Sequence, residues 1–167
     1  MKRKRVWKVL FCALLLLMAR FTYAAVFNEH IDKATFYAAM TSGSLADINK
    51  ELAVLSDNDQ GYIGAMLIRK AGAVARPAEK LKLFKAGRIK LETALLNDPE
   101  NTELHFLRLS IQERAPKIVK YKSNLEADKA FVIKHFSELP LIVQHAVKEY
   151  TKNSKILKPS DFSTDRS

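Results

Sequence analysis

The amino-acid sequence predicts an all-α protein, an antiparallel array of about six or seven helices that follows an N-terminal signal peptide. Glycine and proline are scarce, with five of each in 167 residues. Apolar residues recur at helical spacing along most of the chain, and no segment alternates apolar and polar residues for long enough to indicate a strand. About 143 residues remain after the signal peptide. They suffice for one packed core, so we expect a single helical domain over residues 25–154.

The first 24 residues have the three parts of a secretory signal peptide. The chain opens with a strongly basic stretch, residues 1–8, and continues with an eleven-residue apolar run, residues 9–19. Small residues at Thr22 and Ala24 then mark a cleavage point, and we predict cleavage after Ala24. Eleven apolar residues cover only about 16 Å as a helix, roughly half of a bilayer core, which favours a cleaved signal over an uncleaved anchor. We therefore expect residues 1–24 to be removed, which leaves no permanent transmembrane span.

Removal of this segment changes the charge and the chemistry of the remaining chain. The full sequence carries 28 basic and 18 acidic residues, a formal charge of +10. Six of the basic residues and none of the acidic ones lie in residues 1–24, so the exported form, periplasmic or extracellular, has a formal charge of +4. That modest charge disfavours nucleic acid as a partner. The only cysteine, Cys12, is removed as well, so a packed core must supply the stability without disulfides.

The first three helices are predicted from their capping residues and composition. Residues 29–40, rich in alanine and aromatic residues, form the first, and the polar residues 41–43 end it. Ser44 then caps a second helix, with Asp47 three residues further on as in a capping box. The third, residues 60–75, is rich in glycine and alanine. Because glycine costs up to about 1 kcal/mol in a helix interior, we expect the backbone of a neighbouring helix to approach closely here.

Prolines separate four further helices. Pro77 suits a first helical turn, where its missing N–H does no harm, and Pro99 lies in a strong stop-and-restart signal. The segment 102–114 is apolar on more than half of its circumference, which predicts a central position between other helices. The polar residues 155–167 after the last helix are predicted to form a mobile tail. The four predicted helices are residues 78–96, 102–114, 124–139 and 141–152.

One stretch in the middle of the chain resembles a tetratricopeptide repeat. Gly87, Leu91, Ala94 and Pro99 fall at the spacing that the second half of this repeat uses for small, large, small and proline residues. The following segment, residues 102–114, then resembles the first helix of a successor repeat. The resemblance implies antiparallel helix pairs that nest through the small residues and offer a groove to a protein or peptide. Both a true repeat array and a compact bundle remain open.

A second resemblance concerns residues 96–132, roughly a quarter of the chain. This segment is similar to a little-characterised group of small exported bacterial helical proteins. The resemblance implies an exported helical protein and no known activity.

The residues that usually carry catalysis or bind metals do not form a recognisable site. A Gly-x-Ser-x-Gly turn is absent, and residues 25–167 contain no thiol nucleophile. Gly61 and Gly64 follow no strand, so helix packing explains them better than phosphate binding. We therefore expect a protein that is not an enzyme and needs no metal or cofactor. No two histidines have the i, i+4 spacing with an intervening acid that metal-dependent hydrolases use; the four are His30, His105, His135 and His145.

Two polar residues on the most apolar helix are candidate partner-binding residues. Arg108 and Gln112 lie four residues apart, so they share one face of the helix at residues 102–114. They mark either the solvated edge of that helix or a polar groove for a partner. The solvated edge is favoured, since arginines are mostly exposed.

A basic run supplies the second set of candidates. Between Arg69 and Lys90 the sequence has eight cations and one acid, and Lys80, Lys82 and Lys85 lie near its centre. Such a run is suited to an anionic lipid, a cell-wall polymer or an acidic partner. A solvated lysine face is the favoured interpretation, because the lysines are spread around the helix. Three further lysines surround Tyr121 in a later loop, namely Lys117, Lys120 and Lys122.

Two functional hypotheses follow from these observations. The leading one is a non-catalytic, exported binding or scaffold protein that engages a protein or peptide through a groove between helix pairs. The alternative is a module whose basic run binds an anionic surface or polymer of the cell envelope.

Overall fold

Seven α-helices and three short 3-10 helices make up residues 31–163, the part of the protein that the computed structural model describes. No residue in this range belongs to a β-strand, so the predicted all-α fold class is confirmed. The helices from Ile31 onward form one compact unit. The predicted signal peptide, residues 1–24, lies outside the described residues. In chain order the α-helices are α1 (Lys33–Ser42), α2 (Leu45–Val54), α3 (Gln60–Ala73), α4 (Pro77–Asn97), α5 (Thr102–Arg114), α6 (Leu125–His135) and α7 (Leu141–Thr151).

The boundary between α1 and α2 is set by local side-chain contacts. Ser44 Oγ accepts a hydrogen bond from the Asp47 N–H at 3.1 Å, as predicted for the start of α2. The Asp47 carboxylate does not complete the capping box, because it accepts from the Ser42 hydroxyl at 2.7 Å instead. Gly43 ends α1 with a φ of 63°, in the left-handed region that glycine adopts without strain.

The predicted helix at residues 124–139 is divided. The α-helix α6 ends at His135, and Phe136–Glu138 form a single 3-10 turn. Leu139 is extended, with a ψ of 146°. The reason is Pro140, since steric contact with a proline ring keeps the preceding residue out of the α region. The chain therefore leaves the helix one turn earlier than the apolar spacing predicts.

Small residues let the backbones of α3 and α4 touch. A β-carbon placed on Gly64 would lie 2.7 Å from the carbonyl oxygen of Gly87 and 2.6 Å from the nitrogen of Leu91. Conversely, a β-carbon on Gly87 would lie 2.5 Å from the carbonyl oxygen of Gly64. The predicted close approach is therefore confirmed at these two glycines. Gly72 differs, because it is exposed and a β-carbon there would meet nothing nearer than 3.9 Å.

Helix α5 divides the interior into two apolar cores. Leu104 and Leu107 pack in the first core, which α1 to α4 complete. Phe106 and Leu109 pack in the second core, to which α6, α7 and the residues after α7 contribute. Nine of the thirteen residues of α5 are buried, which confirms the predicted central position of this helix.

The residues after α7 pack against the second core. Leu157 is fully buried, and Phe162 packs against the same core. The Lys155 N–H also donates to Glu113 of α5 at 2.5 Å. Residues 155–163 therefore belong to the folded domain, and the expected tail does not begin at Lys155. Most residues of this segment are polar, so its composition did not predict that its few apolar side chains pack against the core.

The longest helix of the described range, α4, has 21 residues and carries many charged side chains. Within residues 31–163, no helix combines the length and the apolar character that a membrane span requires.

We predict that Gly87→Ala destabilises the protein and that Gly72→Ala does not. The methyl group added at position 87 meets backbone atoms of α3, so we expect overpacking to cost about 1–3 kcal/mol. At position 72 it meets no close neighbour, and the higher helix propensity of alanine raises the stability by up to about 1 kcal/mol. Urea denaturation of the two variants measures their free energies of unfolding. An unchanged midpoint for Gly87→Ala would contradict the close contact between α3 and α4.

Candidate functional site

A buried ion pair joins α5 to α6. The Asp128 side chain of α6 is fully buried, and Arg108 of α5 is 9 % exposed. Arg108 donates to both carboxylate oxygens, from Nε at 2.8 Å and from Nη2 at 2.6 Å. Paired, charge-assisted hydrogen bonds of this kind are among the strongest in proteins. Burial raises the pKa of Asp128, but the hydrogen bonds from Arg108 and His105 outweigh burial and hold the pKa below its ordinary value.

The third guanidinium nitrogen of Arg108 extends the pair to α4 and to the α5–α6 loop, residues 115–124. Arg108 Nη1 donates to Glu92 Oε2 at 2.9 Å. The other oxygen of Glu92, Oε1, accepts from the Tyr121 hydroxyl at 2.5 Å. Burial and the hydrogen bond to the Glu92 carboxylate raise the pKa of Tyr121 well above its ordinary value. The hydroxyl therefore keeps its proton and remains a donor.

His105 completes these contacts from the first turns of α5. Its Nδ1 lies 2.7 Å from Asp128 Oδ1, and its Nε2 lies 2.8 Å from the carbonyl oxygen of Pro99. Both partners accept, so both ring nitrogens must carry a proton for both hydrogen bonds to form. Burial lowers the pKa of His105, but these hydrogen bonds raise it more, and the pKa lies above its ordinary value. The polar network defined by these contacts comprises Glu92, His105, Arg108, Tyr121 and Asp128.

Arg108 and Gln112 do not form the solvated edge that the sequence favoured. Arg108 is held in the polar network, and Gln112 is fully buried. Gln112 donates to Asn124 Oδ1 at 3.3 Å and accepts from the Asn124 N–H at 3.1 Å, which fixes the end of the α5–α6 loop. The solvated-edge interpretation is wrong, because both side chains find partners that lie far along the sequence. Both are satisfied inside the fold.

Sequence reasoning missed the acidic half of the polar network. Asp128 follows Leu125 by three residues and precedes Val132 by four, so it lies on the apolar face of α6. A carboxylate at such a position signals a buried partner, since burying it alone is strongly unfavourable. Glu92, three residues before the buried Leu95, carries a similar signal on α4.

A third carboxylate, Glu103 of α5, joins α1 and α3 in a separate cluster. It accepts from the Tyr37 and Tyr62 hydroxyls, each at 2.9 Å, and from the Lys33 ammonium at 3.0 Å. The same ammonium lies 3.7 Å from the centre of the Tyr62 ring. Burial and the Glu103 charge raise the pKa of both tyrosines well above the ordinary value. Both hydroxyls therefore stay protonated and act as donors to Glu103.

The polar network and the cluster around Glu103 satisfy most of the buried charges of the interior. In the described part of the chain, every buried side-chain nitrogen and oxygen has a hydrogen-bond partner. Residues 31–163 also contain no group of three His, Cys, Asp or Glu side chains placed to hold a metal ion. Each cluster connects three helices and is saturated from within the fold. Its effect is to fix the positions of the helices relative to one another.

The outward side of α4 exposes large apolar side chains. Leu81, Ile89 and Leu96 are 50, 66 and 80 % exposed. At about 100° per residue the three lie within an arc of roughly 80°. The centre of this arc lies about 120° from Leu91 and about 80° from Leu95, which face the first core. The surface that Leu81, Ile89 and Leu96 form is named the α4 outer face.

Two of the three candidate lysines border the α4 outer face. Lys82 and Lys85 are exposed and precede Ile89 by seven and four residues, so they lie on the same side of the helix as Ile89. Lys80 is placed elsewhere, since it precedes Gly87 by seven residues, two helical turns, and so lies on the side that faces α3. No ion pair within residues 31–163 includes any of the three lysines. The structure therefore brings Lys82 and Lys85 together and separates Lys80 from them.

A shallow groove runs along α4 beside the α4 outer face. Its α3 side is formed by Gln60, whose side-chain oxygen accepts from Lys90 Nζ at 2.5 Å. Ile89 belongs both to the groove and to the outer face, so the two form one continuous surface. The lining residues are Gln60, Ala86, Ile89, Lys90, Thr93, Ala94 and Asn97.

Comparison with models of known protein families, with curated proteins and with solved structures finds no match to this chain. The features of the molecule that bear on function are the saturated interior, the α4 outer face with its groove, and the α5–α6 loop.

We predict that Asp128→Ala strongly destabilises the fold. Its removal leaves Arg108 buried without its principal partner, which costs about 3–5 kcal/mol in buried ion pairs. Glu149→Gln is the matched control, because the Glu149–Lys152 pair lies at the exposed surface and such pairs contribute little. Urea denaturation compares the two variants with the wild type. Equal midpoints for both variants would contradict the buried position of Asp128.

We predict that His105 stabilises the fold more below about pH 6.5 than above it. The pKa of His105 is raised in the folded state. Its stabilisation is therefore complete below the unfolded value of about 6.5 and is lost as the pH rises through the higher folded pKa. The measurement is the difference in unfolding free energy between the wild type and His105→Gln across this pH range. A difference that grows with pH would contradict the doubly protonated ring.

Proposed function

We propose that this chain is a non-catalytic, exported binding protein that engages a protein or peptide partner through the α4 outer face. One observation carries the proposal: α4 packs against α3 on one side and exposes Leu81, Ile89 and Leu96 on the other. Apolar side chains gathered on one exposed helix face are typical of surfaces that another protein covers. A few well-packed side chains near the centre of such a contact supply most of its binding energy.

The surroundings of the α4 outer face fit the same class of partner. Lys82 and Lys85 border the apolar side chains, and the neighbouring groove includes the polar residues Thr93 and Asn97. An apolar centre with a polar, solvent-accessible rim is the usual anatomy of a protein interface. We therefore expect the partner to present an apolar segment with acidic residues beside it.

The interior supports the proposal by holding α4 in place. Glu92 connects α4 to Arg108 of α5, and the contact between Gly64 and Gly87 holds α4 against α3. A surface that is already ordered before binding loses less conformational entropy when the partner arrives. The α4 outer face therefore suits a role in recognition.

We further propose that α3, α4 and α5 are arranged as in a tetratricopeptide repeat. Gly87 and Leu91, two residues of the resemblance, lie in the buried contact with α3. Ala94, the third, lies next to Gly61, where an added β-carbon would come within 3.2 Å of the Ala94 β-carbon. Pro99 stands in the turn before α5. These contacts support helices that nest through small residues.

The proposal of export depends on residues 1–24. Their order of basic, apolar and small residues is that of a cleavable signal peptide. A protein exported in this way meets its partner in the periplasm or outside the cell.

We predict that the double variant Ile89→Ser, Leu96→Ser no longer captures the partner protein. Both side chains are largely solvated, so their loss leaves the fold intact but deprives the interface of its apolar centre. Burial of one such side chain contributes about 1.5–3 kcal/mol, so we expect at least a tenfold loss of affinity. Affinity capture from the cell envelope fraction, with identification of the bound proteins, measures the effect.

Leu141→Ser is the matched control for this double variant. Leu141 is 82 % exposed and lies on α7, so the variant loses the same kind of side chain from a different helix. We expect it to capture the same proteins as the wild type. Loss of capture by Leu141→Ser, with capture retained by the double variant, would reject the α4 outer face as the contact surface.

A further inference from the structure

The α5–α6 loop exposes an isoleucine to solvent between residues that are anchored to the fold. Ile118 is 88 % exposed, the highest value among the exposed large apolar residues of the described range. The next residue, Val119, packs against the first core. Tyr121 is buried, and its hydroxyl donates to Glu92 of α4. The loop is therefore anchored on both sides of the one large apolar residue that it exposes.

The loop backbone adopts a conformation that its surroundings must impose. Lys120 has a φ of 48°, the only positive φ at a residue other than glycine within residues 31–163. Its N–H donates to the carbonyl oxygen of Lys117 at 3.1 Å, and the Val119 N–H donates to that of Pro116 at 3.1 Å. The left-handed backbone conformation is unfavourable for a residue that has a β-carbon. Residues in this conformation cluster at binding and switch loops.

The loop carries only positive charge. Residues 114–124 contain no acid, and Ile118 is flanked by Lys117 and Lys120, both exposed. Glu92, whose side chain reaches the loop, is already occupied by hydrogen bonds within the polar network. Ile118 is therefore exposed between two lysines, and the loop contains no carboxylate that could neutralise them.

The loop also lies beside the basic part of α4. The Tyr121 ring packs edge-on against Phe84, with the ring centres 5.8 Å apart. The Arg88 guanidinium lies over the same ring, 4.8 Å from its centre. Lys85 precedes Arg88 by three residues and so lies on the same side of α4. Basic side chains of α4 therefore lie beside Tyr121, three residues from Ile118 in the same loop.

From this juxtaposition we propose that the α5–α6 loop binds the surface of a membrane that contains anionic phospholipid. Ile118 enters the boundary between headgroups and acyl chains, and Lys117 and Lys120 pair with the lipid phosphates. A lipid surface fits the loop because it is anionic at the headgroups and apolar directly beneath them. The loop is complementary to such a surface, because its isoleucine is apolar and the charged residues beside it are all cationic. This proposal does not depend on the protein partner proposed for the α4 outer face.

Co-sedimentation with phosphatidylcholine vesicles, with and without phosphatidylserine, tests the proposal. We expect the protein to bind the anionic vesicles, to bind less as the salt concentration rises, and to leave neutral vesicles unbound. Ile118→Ser weakens binding about tenfold, since it removes the inserted apolar group. Lys117→Gln combined with Lys120→Gln weakens binding about 25-fold, at roughly fivefold for each lysine near an anionic surface.

Matched controls carry the same chemical changes on other helices. Leu141→Ser on α7 parallels the isoleucine change, and Lys50→Gln combined with Lys134→Gln parallels the double lysine change. Because the basic residues 1–8 attract anionic vesicles themselves, each variant is tested in the full chain and in the chain from Ala25. The unit that begins at Ile31 contains both apolar cores. Urea midpoints equal to the wild type show that each variant is folded.

The outcomes separate a lipid surface from a protein partner. Reduced binding of both loop variants, with the controls unchanged in the chain from Ala25, supports the proposal. Equal binding of loop variants and controls overturns it, and so does equal binding of the wild type to neutral vesicles. Loop variants that bind vesicles normally but no longer capture a protein would also overturn it, and would assign the loop to an acidic protein.

Discussion

The buried charge of Asp128 is the constraint on which the arrangement of α4, α5, α6 and the α5–α6 loop depends. An ionised carboxylate without solvent needs donors, and Arg108 and His105 supply them. The remaining nitrogen of Arg108, Nη1, donates to Glu92, and the other oxygen of Glu92 accepts from the Tyr121 hydroxyl. Since each group is satisfied by one arrangement of its neighbours, the polar network selects a single placement of three helices and the loop.

A different kind of contact, between backbones, holds α4 against α3. Here the backbones meet directly at Gly64 and Gly87, so the fit depends on missing side chains. The two devices act on the same helix from different sides, because Glu92 faces Arg108 of α5 while Gly87 faces α3. Their combination leaves α4 little freedom and turns Ile89 and its neighbours toward solvent. The contacts of Gly87 and Glu92 therefore fix α4 while Leu81, Ile89 and Leu96 stay exposed.

The same logic connects the interior to the loop. Tyr121 is at once a member of the polar network and the residue that packs the loop on Phe84 and Arg88. A loop held in this way keeps Ile118 exposed and Lys120 in a left-handed conformation. Rigid presentation of apolar and cationic side chains lowers the entropy that binding must overcome, which suits recognition surfaces. Both proposals therefore draw on the saturated polar interior.

The sequence by itself determined the helices and their order, since caps, prolines and helical spacing act over a few residues. Ser44 and Gly43 marked a boundary that the structure confirms, and the glycines of α3 indicated a close helix contact. Only the tertiary structure decided that Arg108 and Gln112 are buried, because their partners on α6 and the loop lie 20 and 12 residues away. It likewise decided that residues 155–163 join the domain, since Leu157 is buried by a core that other helices build. Burial of a polar or isolated apolar side chain depends on groups distant in sequence, and a local pattern carries no record of them.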